Sequence, residues 1–198
     1  MVRRLTAALV VALAFALAGS VSLVPVTAAY ADPPSAHIRD SIAKAAISQI
    51  GKKETGNNYY PKAYKISSAI LRPAAWCGIF ANWAWWKGGA TKRPNMTGSG
   101  TNQGHWATYW QKWGKAQHRW KPISKKSTAP GDVVVYGNYP DSRHVGVVVG
   151  VKYDSHGNVS QVRTVEGNFG DKVTDRGWRK IGSMSGGGAK ATGFVSPV

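Results

Sequence analysis

Between residues 131 and 195 the chain repeats one pattern: a short run rich in β-branched residues, bounded by Gly, Pro, Asn or Asp. The runs are 131–137 (GDVVVYG), 143–153 (RHVGVVVGVKY), 159–166 (VSQVRTVE), 173–181 (VTDRGWRKI) and 190–195 (KATGFV). Residues of this type fit a pleated, half-buried surface, so each run is expected to be a strand. The connections are short, which implies antiparallel pairing.

Upstream the period changes. After Pro33-Pro34, Ser35 is placed to cap a helix in which Ile42, Ala43, Ala46, Ile47 and Ile50 recur at helical spacing, with Gly51 as its stop. Residues 52–62 are turn-rich, and a short helix is expected over 63–71. Pro73 resets the chain, and a further helix is expected from Ala75 or Trp76 to Gly88-Gly89. Residues 92–126 read as a long polar loop holding one short helix and Trp106, Trp110, Trp113 and Trp120. Helices first and strands afterwards give an α+β domain, its helices packed on one face of a roughly five-stranded antiparallel sheet.

Arg3 and Arg4 precede an apolar run from Leu9 to Leu17, and the segment closes on Ala29-Tyr30-Ala31. That is the pattern of a secretory signal peptide, residues 1–31, cleaved after Ala31. Gly19, Ser20, Ser22 and Pro25 interrupt the apolar run before it could span a bilayer, so no membrane span is expected after cleavage. The remainder, 32–198, suits one domain and is expected to be a secreted monomer, extracellular or associated with a cell wall. Removing Arg3 and Arg4 leaves 24 basic against 9 acidic residues, a mature formal charge of +15. Such a surface attracts polyanions: nucleic acid, anionic lipid or acidic wall polymers.

A secreted domain with one cysteine, Cys77, cannot be an internally disulfide-stapled scaffold. The thiol pairs with another chain, hides in the core, or reacts. It falls in the first turn of its helix, where unpaired N–H groups and the helix dipole favour thiolate. A small buried hydrophobe is the competing reading, and a base is needed to displace it.

His144 supplies the base. Strand alternation puts His144, Gly146, Val148 and Gly150 on one face and Val145, Val147, Val149 and Val151 on the other. Glycines in a strand mark close approach of backbone or ligand, here assigned to the Cys77 helix. If Asp154 to Asn158 form a five-residue hairpin loop, Tyr153 opposes Val159, Gly146 opposes Glu166 and His144 opposes Asn168. A slip of one residue would part the histidine from the acid. His37, His105, His118 and His156 have no acid or amide placed by a strand pattern, and no His/Cys/carboxylate cluster has metal-ligand spacing. Neither cofactor nor metal is expected.

AWCGIFANWAWWKGG, then PGDVVVYG, RHVGVVVGV and TVEGNFG, in that order and with AAISQIGKKETGNN and Tyr64 upstream, resemble the CHAP domain (cysteine, histidine-dependent amidohydrolase/peptidase). The resemblance spans roughly residues 38–195. It implies a papain-like fold and a secreted cysteine hydrolase of peptidoglycan amide bonds. Its nucleophile is Cys77, its base His144, and Glu166 with Asn168 orient the imidazole. Tyr64 is a possible oxyanion donor beside the Cys77 N–H. Gly78-Ile79 departs from the small residue the family commonly carries after its cysteine. The implied partners are bacterial peptidoglycan and anionic wall polymers, with no specific nucleic acid. Two other readings stay open: a non-catalytic module that binds polyanions or glycans, and a toxin or effector using the same residues on another amide.

Overall fold

A computed structural model describes residues 34–68, 70, 72–96 and 106–198. The leader expected over 1–31 and His105 lie outside the described residues. Three helices are seen, α1 (Pro34–Ile47), α2 (Cys77–Lys87) and α3 (Ala107–Ala116). They precede or flank strands β1 (Trp120–Pro122), β2 (Val133–Tyr136), β3 (His144–Tyr153), β4 (Val159–Glu166), β5 (Thr174–Lys180), β6 (Ser185–Gly186) and β7 (Ala189–Val195). All pairings are antiparallel, in the order β1-β7-β2-β3-β4-β5, with β6 paired to β7. The fold is α+β, consistent with a papain-like arrangement.

The expected strands are present, and two more complete a seven-stranded sheet. β1 and β6 are too short to carry a pattern of their own; both are held as strands by pairing with β7. Where a helix is expected over 63–71, the described residues form one 3₁₀ turn, Lys62–Tyr64. α1 buries Ile42, Ala43 and Ala46; Ile47, its last residue, and Ile50, in the turn beyond it, stand exposed.

The two faces of the sheet carry separate cores. Val133, Val135, Val145, Val147, Val165 and Val195 meet Ile42, Ile79, Ala84, Trp85, Trp110 and Trp113 on the helical side. Val134, Tyr136, Val148, Val162 and Phe194 meet Ile181 and Met184 on the other. α2 approaches α1 closely because Gly88 has no side chain: a Cβ there would stand 2.4 Å from Ile42 Cγ1.

The β3/β4 register agrees with expectation at both ends, for a reason alternation does not reveal. Tyr153 pairs Val159 and Val147 pairs Val165 as a simple ladder requires. Between them, Lys152 pairs Gln161 and Gly150 pairs Arg163, one residue out of step. Ser160 bulges from β4 and Val149 from β3, and the two single-residue offsets cancel before the chain reaches Glu166. Val149 stays against the helical core while Val151 joins Val148 on the far face, so strict alternation fails at this point.

Candidate active site

α2 begins without a side-chain cap. Trp76, at the N-cap, turns its indole away and donates from Nε1 to Glu54 Oε2 at 2.8 Å. Phe80 N–H is the first to reach back, to Trp76 O, so the first-turn N–H groups are left for other acceptors. The Cys77 sulfur takes this role, accepting from Gly78 N–H and from Val145 N–H across on β3. It also shares a hydrogen bond and a Coulombic attraction with the His144 imidazole.

Burial pushes the Cys77 thiol up, but the imidazole and the two backbone donors outweigh it and hold it below the ordinary thiol value. Burial pulls His144 down, while the sulfur and Glu166 together push it up to about 9. Each partner stabilises the charged form of the other, so the pair rests as thiolate and imidazolium. Cys77 is 7 % exposed and His144 5 %.

The imidazole is held from its other nitrogen. His144 Nε2 lies 3.1 Å from Glu166 Oε2, so Nδ1 is the nitrogen left for sulfur. Burial would raise Glu166, yet the hydrogen bonds it accepts hold it down at about 2. Tyr136 Oη and Thr164 Oγ1 each donate to Oε1 at 2.6 Å. Arg179 Nη2 donates to Oε1 at 2.8 Å and Arg176 Nη1 to Oε2 at 2.9 Å. A wholly buried carboxylate is thereby kept ionised.

Gly146 makes this arrangement possible, and its role differs from the expected one. A Cβ at Gly146 would stand 2.5 Å from Glu166 Cγ, so the missing side chain is space for the acid. Gly150 likewise leaves room for Trp178. The close approach to α2 occurs at Gly167, where a Cβ would meet Phe80 Cβ at 2.5 Å. The helix packs on the valine face, and its first residue meets His144 at the start of β3.

Two expected site residues stand elsewhere. Asn168 does not oppose His144, because β4 ends at Glu166 and the chain turns. Asn168 has φ +56°, and its Nδ2 donates to Asn58 Oδ1 at 3.1 Å. Asn58 N–H in turn donates to Glu54 Oε1 at 2.9 Å, so a chain of bonds runs from Asn168 to Trp76 at the start of α2. Tyr64 is fully buried among Trp76, Phe80 and Trp83, and its hydroxyl donates to Gln49 Oε1 at 3.2 Å. Its bond is directed to the turn after α1 rather than to the sulfur, as suits an aromatic packing residue with one polar tip.

Arg176, Arg179 and Tyr136 are the parts that sequence reasoning missed. The available signal was Gly177 between the arginines, which breaks the alternation of β5. Beside Cys77 opens a cleft of about 330 Å³ lined by Ala75, Trp106, Thr108, Pro140, Asp141 and Arg143 among others. Trp106 is half exposed at this cleft, whereas Trp110 and Trp113 pack edge-on against Trp85 in the core.

The CHAP domain family model matches residues 71–168. No curated protein and no solved structure matches the chain.

Proposed function

The chain carries a CHAP domain, the mark of an amidase- or peptidase-type hydrolase, and we propose that it cuts amide bonds of bacterial peptidoglycan through a thioester on Cys77. The observation that carries this reading is the relay from sulfur to imidazole to carboxylate, with Cys77 at a helix start and His144 Nε2 3.1 Å from Glu166 Oε2.

The chemistry follows from the protonation states. The Cys77 thiolate attacks the amide carbonyl carbon, and the carbonyl oxygen gathers charge near the Cys77 N–H at the start of α2. The imidazolium gives its Nδ1 proton to the departing amine as the C–N bond breaks, leaving a thioester and a neutral imidazole. Water then attacks the thioester while the imidazole takes its proton. A carboxylic acid is released, which gives its proton to solvent, and the thiolate–imidazolium pair is restored. Glu166 accepts from Nε2–H throughout and fixes the tautomer; it reaches no reacting atom and acts as an orienting group.

The signal-peptide pattern of residues 1–31 and a formal charge of +15 over residues 32–198 support action outside the cell on an anionic wall, to which electrostatic attraction would draw the protein. Wall association is then salt-sensitive, because the Debye length falls from about 10 Å at 0.1 M to about 3 Å at 1 M. Turnover of a small soluble muropeptide changes far less, since the reacting pair acts at contact.

The test is incubation of the mature protein with purified peptidoglycan and mass spectrometry of the released fragments. New amine and carboxylate ends at one defined bond, absent with Cys77→Ala, are expected. Salt-sensitive binding to walls and DNA alike with no fragment released would replace the hydrolase by a polyanion-binding module. Turnover confined to non-wall amides would favour an effector.

A further inference from the structure

Residues three apart on a regular strand point to opposite faces. Arg176 and Arg179 on β5 nonetheless reach the same carboxylate. Asp175 pairs Val165 and Trp178 pairs Arg163, so Arg176 and Gly177 together stand opposite Thr164. Gly177, at φ +62°, takes the left-handed turn of this bulge, and its N–H donates to Asp175 Oδ1 at 2.9 Å. The extra residue rotates both guanidiniums onto Glu166.

Their contacts divide the work. Arg179 Nη2 serves Glu166 Oε1, Tyr136 Oη and Thr164 Oγ1, at 2.8, 2.8 and 2.6 Å. Arg176 Nη1 serves Oε2, the oxygen that also faces His144 Nε2. The Arg176 guanidinium carbon lies 3.6 Å from the Phe169 ring centroid, and Phe169 meets His144 edge-on at 5.8 Å. The charged and titratable groups around Glu166 are therefore Tyr136 from β2, His144 from β3, and Arg176 and Arg179 from β5, with Cys77 of α2 beyond the imidazole. One guanidinium suffices to keep a buried carboxylate ionised. A second, on the oxygen that His144 uses, competes with the imidazolium for that oxygen and repels it.

We propose that Arg176 is a positioning residue that limits how much of the Glu166 charge reaches His144, and so sets the pH window in which the thiolate–imidazolium pair exists, while Arg179 anchors the carboxylate. This rests on the Cys77–His144 reading of the site. Removing one positive charge raises the proton affinity of every group nearby. The thiol and the imidazole therefore both shift upward: the window translates rather than narrows.

The test needs no substrate. Iodoacetamide alkylation of Cys77 against pH reports the thiol, and NMR titration of labelled histidine reports His144, in wild type, Arg176→Gln, Arg176→Met and Arg176→Lys. Both midpoints are expected to rise by about one pH unit in the Gln and Met variants. Arg176→Lys keeps the charge and is expected to stay near wild type. Midpoints that overlay wild type in folded Arg176→Gln and Arg176→Met, with only a lower Tm, would overturn the proposal, as would failure of both variants to fold, since Arg176 would then be a structural clamp. Shifted midpoints in a protein that releases no peptidoglycan fragment would keep this inference and remove the substrate proposal.

Discussion

On the helical side of the sheet, Val133, Val135, Val145, Val147 and Val165 lie under alanines and tryptophans, and the interior is held by area removed from water. One residue along the same strands, Tyr136, His144 and Glu166 face the other way into a buried group of charges. The first interior is non-directional and tolerates a change of shape at a graded cost. The second is an all-or-none arrangement of donors around one carboxylate, in which each group is satisfied only while the others stay. Cys77 belongs to the first by packing and to the second by chemistry, because it stands where α2 begins.

The largest effect separates chemistry from packing. Cys77→Ala is expected to abolish hydrolysis while melting stays near wild type, and His144→Ala to cost about as much in rate; the double variant loses no more than either alone, because the two act as a unit. Additive losses in a turnover assay would show that they do not.

Glu166→Gln comes next and strikes both properties. The arginines lose their counter-charge, at a cost of about 3–5 kcal/mol, and turnover of the folded protein falls by about 10²-fold or more as the imidazole loses its partner. Urea unfolding and kcat measure the two. Trp110→Ala sharpens the contrast: about 3–5 kcal/mol is lost from the helical-side core, with kcat of the folded fraction unchanged. Equal kcat losses in the two variants would erase the distinction between the interiors.

Gly146→Ala is expected to cost about 1–3 kcal/mol and a disproportionate share of activity, because the new methyl group collides with Glu166 Cγ. Gly150→Ala, which meets the edge of Trp178, is the control; its expected activity is near wild type. The last contrast is spread over a range of pH. His144 is raised to about 9 in the fold, so the stability it contributes is full below its unfolded value of about 6.5 and is lost as pH rises through about 9. His144→Gln should flatten that decline in an unfolding series between pH 6 and 10.

The strands are legible because β-branched residues with turn-forming neighbours have few other uses, and strand alternation with one hairpin loop puts His144 and Glu166 on one face, giving Cys77 a candidate base. The compensating offsets at Val149 and Ser160 are not legible, since a bulge depends on which hydrogen bonds the partner strand offers. Asn168 was misplaced by extending the ladder past its end, where Gly167 is pressed against Phe80 and the next residue must turn. Its position before the cysteine makes Tyr64 a possible oxyanion donor, but that signal does not distinguish a hydroxyl near sulfur from one bonded to Gln49. Arg176 and Arg179 are not legible as partners because spacing of three on a strand argues against a shared target.

β7, the last strand in the chain, lies inside the sheet between β1 and β2. The matched span of 71–168 is therefore narrower than the smallest piece that could be moved into another protein as a working module. A fusion cut at those limits would omit an interior strand, both arginines and the Glu54 tether, and would leave β2 with a raw edge open to foreign strands. Transplantation, domain shuffling or truncation of this chain should respect boundaries near residues 34 and 196, and soluble expression of nested fragments would show where modularity ends.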